Sequence, residues 1–211
     1  CIASWKKYCS DYELIEWNED NFNIFMNPYT KKCYDDKKFA FLSDYVRLVV
    51  IEANGGIYFD TDVEVVKSFD DLLDCKAFFG FETNEYVNTG VGFGAEAHNP
   101  AIIQMLKEYE PLLDGRQGII GCPHLNTKAL IKCGLKKNGQ KQDLKDASVF
   151  PAEYFNPYDA PTGKLNKSEL TYSIHWYAAS WMDKKQRLRS KISKPIHRLL
   201  GKDFFRKKQK N

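Results

Sequence analysis

Ser43-Asp44-Tyr45-Val46-Arg47 and, one helix later, Gly55-Gly56-Ile57-Tyr58-Phe59-Asp60-Thr61-Asp62 are the stretch on which the fold turns. Between them Tyr45, Leu48, Val49 and Glu52 recur at helical spacing, so Phe39 to Asn54 reads as a helix. Ser43 is a candidate cap, and Asn54-Gly55-Gly56 stops the helix. Ile57-Tyr58-Phe59 then reads as a short buried strand, and Val63 to Val66 resumes extended chain. Two carboxylates one residue apart, where a strand runs out, can converge on one hard cation. Ligands of open α/β sheets bind beyond the carboxyl ends of strands. A cation there can bridge the phosphates of a nucleoside diphosphate and offset charge on a leaving group. By itself, Asp60-Thr61-Asp62 is equally a solvated acidic turn. Asp44 and Arg47 lie three residues apart and share a helix face. They form either a polar patch toward a ligand or a buried pair tying helix to sheet, and both can hold together.

Outward from this stretch, helices and strands alternate. Residues 1–9 read as the end of an amphipathic helix carrying Ile2 and Trp5, Tyr12 to Trp17 as a strand, and 18–27 as loop. Ala77 to Phe81 and Val91 to Ala95 read as strands, and Pro100 to Tyr109 as a helix with Pro in its first turn. Asn126 to Cys133 reads as a helix, 136–145 as a polar loop or hairpin, and Val149 to Pro151 and Tyr172 to Tyr177 as strands. The pattern predicts an α/β sandwich around a mostly parallel sheet, with 1–183 as one catalytic domain and 184–211 as a basic helical tail.

The 211 residues are 43% hydrophobic and 14% aromatic, enough for a sizeable core. Mean hydropathy is −0.51, and no apolar run approaches the roughly 18 residues of a membrane span. The net charge of +3 is uneven: 184–211 holds twelve Lys/Arg and one acid, Asp203, a charge of +11 that leaves −8 on 1–183. Ile192, Ile196, Leu199, Leu200, Phe204 and Phe205 interleave with that basic charge. The tail is thus a candidate membrane-surface element, or simply a solvated helix. An acidic body without a nucleic-acid motif argues against nucleic acid as partner. None of the six cysteines form C-x-x-C, which disfavours a zinc cluster, and free thiols in a reducing compartment are expected. No stretch reads as a secretory signal. The chain opens at Cys1, inside a helical pattern, so a preceding segment is expected.

The run Ser43-Asp44-x-x-Arg47 … Gly55-Gly56-x-Tyr58-x-Asp60-x-Asp62 resembles the signature of sugar transferases containing the D-x-D motif. Among these are glycosyltransferase family 32, the yeast-type initiating mannosyltransferases and the glucosylating bacterial toxins. It is most similar to the shorter bacterial members, often capsular polysaccharide or lipopolysaccharide enzymes. The resemblance implies a GT-A, Rossmann-like fold, here lacking its first N-terminal strand. It also implies a nucleotide-sugar donor, most often a UDP-hexose, Mn²⁺ (or Mg²⁺) as cofactor, retention of anomeric configuration, and a saccharide or lipid-linked glycan acceptor. Carried over by residue, Asp44 and Arg47 bind donor-sugar hydroxyls, Tyr58 lies near the nucleoside, Asp60 contacts ribose, sugar and metal, and Asp62 ligates metal.

Asn88-Thr89-Gly90-Val91 resembles a strand lining the sugar and acceptor site, with Gly90, Gly92 and Gly94 permitting close approach; an ordinary bulged strand is the alternative. Gly121-Cys122-Pro123 resembles a turn ahead of a helix whose N-terminus faces donor or acceptor oxygens. His175-Trp176-Tyr177-Ala178-Ala179-Ser180-Trp181 resembles a C-terminal H-x(4)-S-W element. It implies His175 as a third metal ligand, with Ser180 and Trp181 hydrogen-bonding the diphosphate. Glu82 is placed near the sugar. The cytoplasm, with peripheral contact to the inner membrane face, is the expected location. Two other readings remain: a carbohydrate- or nucleotide-sugar-binding protein without turnover, and a haloacid-dehalogenase-like phosphatase. The latter is suggested by Phe59-Asp60-Thr61-Asp62-Val63, where the first Asp would be nucleophile, but no later Lys and paired-Asp elements are found.

Overall fold

The computed structural model describes residues 1–178, 193–195 and 197–199. The helices among them are α1 (Ile2–Tyr8), α2 (Pro28–Asp35), α3 (Phe39–Asn54), α4 (Pro100–Tyr109), α5 (Cys122–Lys132) and α6 (Ala152–Phe155). The strands are β1 (Gly56–Tyr58), β2 (Val63–Val65), β3 (Ala77–Gly80), β4 (Phe93–Ala95), β5 (Gln142–Asp143), β6 (Ser148–Phe150), β7 (Tyr158–Asp159), β8 (Lys164–Leu165) and β9 (Ser173–His175).

A five-stranded sheet in the order β1-β4-β3-β6-β5 forms the centre, with β2-β9 and β7-β8 as separate pairs. The class is mixed α/β. The expected mostly parallel sheet is corrected: β3 and β6 alone run parallel in the central sheet, and its other neighbours are antiparallel. The reason lies in the connections. Between β3 and β6 lie β4, α4, α5 and β5, a connection long enough for parallel pairing, whereas the link from β3 to β4 carries no α-helix and folds back on itself through an antiparallel bridge between Phe81 and Val87.

Successive side chains of a strand face opposite sides of a sheet, and two cores follow. Ala77 and Phe79 of β3 and Val149 of β6 join Leu48, Ile51, Ile102, Met105 and Leu130 of α3, α4 and α5. Phe78 and Phe150 face the other way, toward Trp5, Val65, Phe69, Phe155 and Tyr172. Each large apolar side chain buried in this way contributes about 1.5–3 kcal/mol.

Local chemistry sets the helix ends. Asn27 caps α2 by accepting from Thr30 N at 2.9 Å, and Pro28 occupies the first turn. This helix escaped the sequence reading although Asn-Pro is a start signal. Asn99 and Pro100 open α4 in the same way. Helix α5 begins at Cys122, earlier than the expected Asn126, since Pro123 sits in its first turn. The α3 span matches expectation, but Ser43 lies inside it rather than capping it, its hydroxyl donating to the Ala40 carbonyl at 2.9 Å. Gly55 ends α3 at φ +68, and a Cβ there would meet Ala97 N at 2.8 Å, so glycine alone fits.

Residues 12–17 are irregular rather than a strand. They have no strand partner among the described residues, Leu14 and Ile15 are exposed, and Tyr12 is tied by its hydroxyl to Asp70 at 2.7 Å. The expected strand 91–95 keeps only 93–95, since Thr89–Val91 turns as a short 3-10 helix. Of the tail, 193–195 and 197–199 are helical. Lys194 Nζ donates to Tyr158 OH, and Arg198 donates to the carbonyls of Thr162 and Gly163, which seats this piece on the β7-β8 hairpin. No helix among the described residues is long and apolar enough to cross a membrane.

Candidate active site

Strand β1 delivers Asp60 to its carboxyl end, and the chain turns at once, with Val63 N donating to the Asp60 carbonyl at 2.9 Å. β2 then leaves the turn and pairs with β9 in a register that sets Val63 opposite His175. α1 fixes this pair from outside: Trp5 Nε1 donates to the Val63 carbonyl at 2.7 Å. Asp62, one residue before Val63, thereby reaches His175 Nε2 at 3.1 Å. One ligand atom each from Asp60, Asp62 and His175 lies within 4.8 Å of the others. Their side chains are 24%, 21% and 11% exposed, open enough for a ligand to reach.

The turn after β9 closes around Asp62. Trp176 N donates to the Asp62 carbonyl at 3.1 Å and Ala178 N to Asp62 Oδ2 at 2.8 Å. Burial works to raise the Asp62 carboxyl, but the His175 contact and the Ala178 N–H outweigh it and hold it below the ordinary carboxylate range.

Behind this cluster lies Arg47, 2% exposed. Its Nη2 meets Asp44 Oδ1 at 2.8 Å and Asp60 Oδ1 at 3.2 Å. Its Nε and Nη2 donate to the Ser43 carbonyl and hydroxyl, one helical turn back. Its guanidinium carbon stands 5.1 Å from the Tyr58 ring centre. Burial works against the charge of Arg47, yet Asp60 and Asp44 hold it protonated. Burial pushes the Asp44 carboxyl up against the pull of Arg47. Burial and the Asp60 charge push the Tyr58 phenol up. Arg47 Nη1 is buried without a hydrogen-bond partner among the described residues, as is His175 Nδ1.

The Asn88 loop and α5 close the Arg47 side. A Cβ on Gly90 would lie 2.8 Å from Asp60 Oδ2, 2.9 Å from Arg47 Nη1 and 3.1 Å from Asn88 Oδ1, so the missing side chain is what lets these groups converge. Asn88 Oδ1 accepts from Gly90 N at 2.7 Å and from Cys122 Sγ at 3.2 Å. Cys122 N points from the start of α5 to Asp44 Oδ2 at 3.4 Å. Burial, with Asp44 beside it, pushes the Cys122 thiol well up, so it is a hydrogen-bond donor here and not a nucleophile.

Of the sequence-derived residues, Asp44, Arg47, Tyr58, Asp60 and Asn88 thus meet around one guanidinium, and Asp62 and His175 meet beside them. Ser180 and Trp181 lie outside the described residues. Glu82 reaches the site through Tyr177, whose hydroxyl donates to Glu82 Oε1 at 2.8 Å. Tyr177 and the Ala178 N–H were not singled out from sequence, and nothing in residue type or spacing marks them. A cavity of about 500 Å³ lined by Phe25, Pro28, Lys31 and Asp35 lies against α2, and none of the site carboxylates borders it.

Known proteins share parts of this chain. It is 44% identical over 48 residues to glucan organizing enzyme 1 of Cryptococcus neoformans var. grubii, covering 23% of this chain and 13% of that protein. PaToxG glycosyltransferase, a solved structure, superposes over 52% of this chain and 41% of its own, at 22% identity and a TM-score of 0.42. Residues 1–79, which carry Asp44, Arg47, Tyr58, Asp60 and Asp62, match the family model described as the glycosyltransferase sugar-binding region containing the DXD motif.

Proposed function

We propose that this chain is a metal-dependent, retaining glycosyltransferase with a GT-A-type catalytic domain over 1–183. It would move a hexose from a nucleotide sugar, with UDP as the favoured carrier, to a saccharide or lipid-linked glycan acceptor of surface polysaccharide synthesis. The observation that carries the proposal is the convergence of Asp60, Asp62 and His175 within 4.8 Å, beside a buried Arg47 whose Nη1 has no hydrogen-bond partner among the described residues. Two carboxylates and an imidazole suit a cation on the hard-to-borderline scale, Mn²⁺ or Mg²⁺. His175 Nδ1 is buried without a partner among the described residues, so Nε2, which faces Asp62, is the nitrogen open to a cation. Bound there, the cation would offset the negative charge of the departing diphosphate.

The chain's own groups supply the rest. Arg47 and the Asp44 carboxylate are proposed to orient donor-sugar hydroxyls. The Asn88 carbonyl is engaged by Gly90 N and Cys122 Sγ, so its amide NH₂ is the end left for a donor hydroxyl. Asp60, held by Arg47, cannot swing away from the donor. We assign no protein nucleophile; the retaining proposal relies on front-face transfer. Ser180 and Trp181 are proposed to bind diphosphate. We also propose a cytoplasmic location with the tail against an anionic membrane surface, a reading supported by its charge of +11.

The test is a nucleotide-sugar hydrolysis screen with and without Mn²⁺, run on the wild type and Asp62→Asn. Turnover of one donor, stimulated by Mn²⁺ and reduced at least about 100-fold in Asp62→Asn with an unchanged circular dichroism spectrum, supports the proposal. Equal metal-dependent turnover in the variant refutes it.

A further inference from the structure

Tyr177 has a conformation and a set of partners that the proposed chemistry does not use. Its φ is +50, a left-handed backbone that a residue with a bulky side chain rarely adopts. Only three non-glycine residues among those described have positive φ; Lys37 donates its N–H to the Tyr34 carbonyl, and His98 pairs with Glu52, not with Asp60, Asp62 or His175. Such conformations persist where surrounding contacts over-determine them, and they gather at functional sites.

The contacts are present. The Tyr177 hydroxyl donates to Glu82 Oε1 at 2.8 Å and accepts from Asn156 Nδ2 at 2.9 Å. Asn156 also donates to the Glu82 carbonyl at 3.2 Å, so the three residues form a closed set. The Tyr177 ring lies 4.0 Å from the His175 ring, centre to centre. On the other side of the turn, Trp176 Nε1 donates to Glu64 Oε2 at 2.8 Å. The left-handed step at 177 is what reverses the chain so that Ala178 N meets Asp62 Oδ2 at 2.8 Å.

We propose that Tyr177 is a positioning residue for the Asp60-Asp62-His175 site. Anchored by Glu82 and Asn156, it presses its ring on His175 and fixes the turn that brings a backbone N–H to Asp62. Both ligands are then oriented before any cation arrives, and outer partners of this kind change metal affinity about 10–100-fold when removed. The inference deepens the proposed function and rests on the reading that these three residues hold a divalent cation.

The experiment titrates the metal-free protein with Mn²⁺ and follows free Mn²⁺ by electron paramagnetic resonance. Wild type, Asp62→Asn, Tyr177→Phe, Glu82→Ala and Glu82→Gln are compared, each with a thermal melt. Tyr177→Phe loses the anchor, and Glu82→Ala loses the acceptor; both are expected to weaken Mn²⁺ binding about 10-fold. Glu82→Gln keeps an oxygen that accepts from the Tyr177 hydroxyl and is expected to bind within about 2-fold of wild type, a rescue that a merely destabilised fold would not show. Wild-type affinity in Tyr177→Phe and Glu82→Ala, with Asp62→Asn impaired, overturns the positioning role alone. If Asp62→Asn binds like wild type, or wild type does not bind, the cation reading falls and takes the inference with it.

Discussion

The two ends of the site hold their carboxylates in contrasting ways. At one end Asp44 and Asp60 share a guanidinium that is almost completely buried, within a wall built from α3, the Asn88 loop and the start of α5. At the other, Asp62 meets an imidazole and a backbone N–H, with no guanidinium beside it. Removing one partner of a buried ion pair leaves an uncompensated charge, which is costly; Asp62 faces an imidazole and a backbone N–H, so an amide in its place strands no guanidinium and costs about one hydrogen bond. The comparison separates roles that a list of acidic residues would merge. The Arg47 end is a fixed element on which the fold depends. The Asp62 end fixes only the turn after β9.

The largest predicted effect breaks the buried end. Arg47→Met should lower stability by about 3–5 kcal/mol and abolish donor turnover. Asp62→Asn, which keeps an oxygen to accept the Ala178 N–H, should lower stability by about 1 kcal/mol while losing turnover as strongly. Urea denaturation of both variants tests the pair, and similar stabilities would erase the contrast.

Gly90→Ala sharpens the same comparison with a single methyl group. Its Cβ would fall 2.8 Å from Asp60 Oδ2 and 2.9 Å from Arg47 Nη1, so one of them must move. A stability loss of about 1–3 kcal/mol and a fall in turnover of about 100-fold are expected, with Mn²⁺ affinity changed less than in Asp62→Asn. Steady-state kinetics with a Mn²⁺ titration distinguishes this from general unfolding.

The smallest effect concerns a buried carboxylate outside the site. Glu108 of α4 bonds Lys128 at 2.9 Å and also Lys132, both of α5, whose first residue touches Asp44. Burial works to raise the Glu108 carboxyl, but the two lysines override it and hold it below the ordinary value. A depressed folded-state value means that this contribution is present above the unfolded glutamate value of about 4.3 and is lost as pH falls through the folded one. Glu108→Gln should therefore flatten the decline in melting temperature between about pH 6 and pH 3, and an unchanged slope would exclude the linkage.

Much of the buried end was legible in the sequence because its parts lie close together. Helical spacing put Asp44 and Arg47 on one face, and Asn54-Gly55-Gly56 fixed where α3 stops and β1 starts. Asp60 then follows from the strand's length. Gly90 was marked as a point of close approach, although the groups that approach it were not. The strand expected at 12–17 failed because alternation states only that one face is apolar and says nothing of a partner to pair with. Helix α2 was overlooked despite its Asn27-Pro28 start, since its apolar side is reduced to Tyr29 and Cys33.

Taken alone, the sequence determined the local facts: the acidic turn after a short strand, the helix that presents Asp44 and Arg47, and a basic terminal segment of opposite charge to the body. These depend on dihedral preference, side-chain period and charge, which neighbouring residues settle among themselves. Tertiary structure alone decided that β9 pairs with β2 in the register that brings His175 to Asp62, that Cys122 faces Asp44, and that Tyr177 turns left-handed between Glu82 and Asn156. Those outcomes depend on which distant surfaces bury one another, and no local preference specifies a pairing between segments so far apart along the chain.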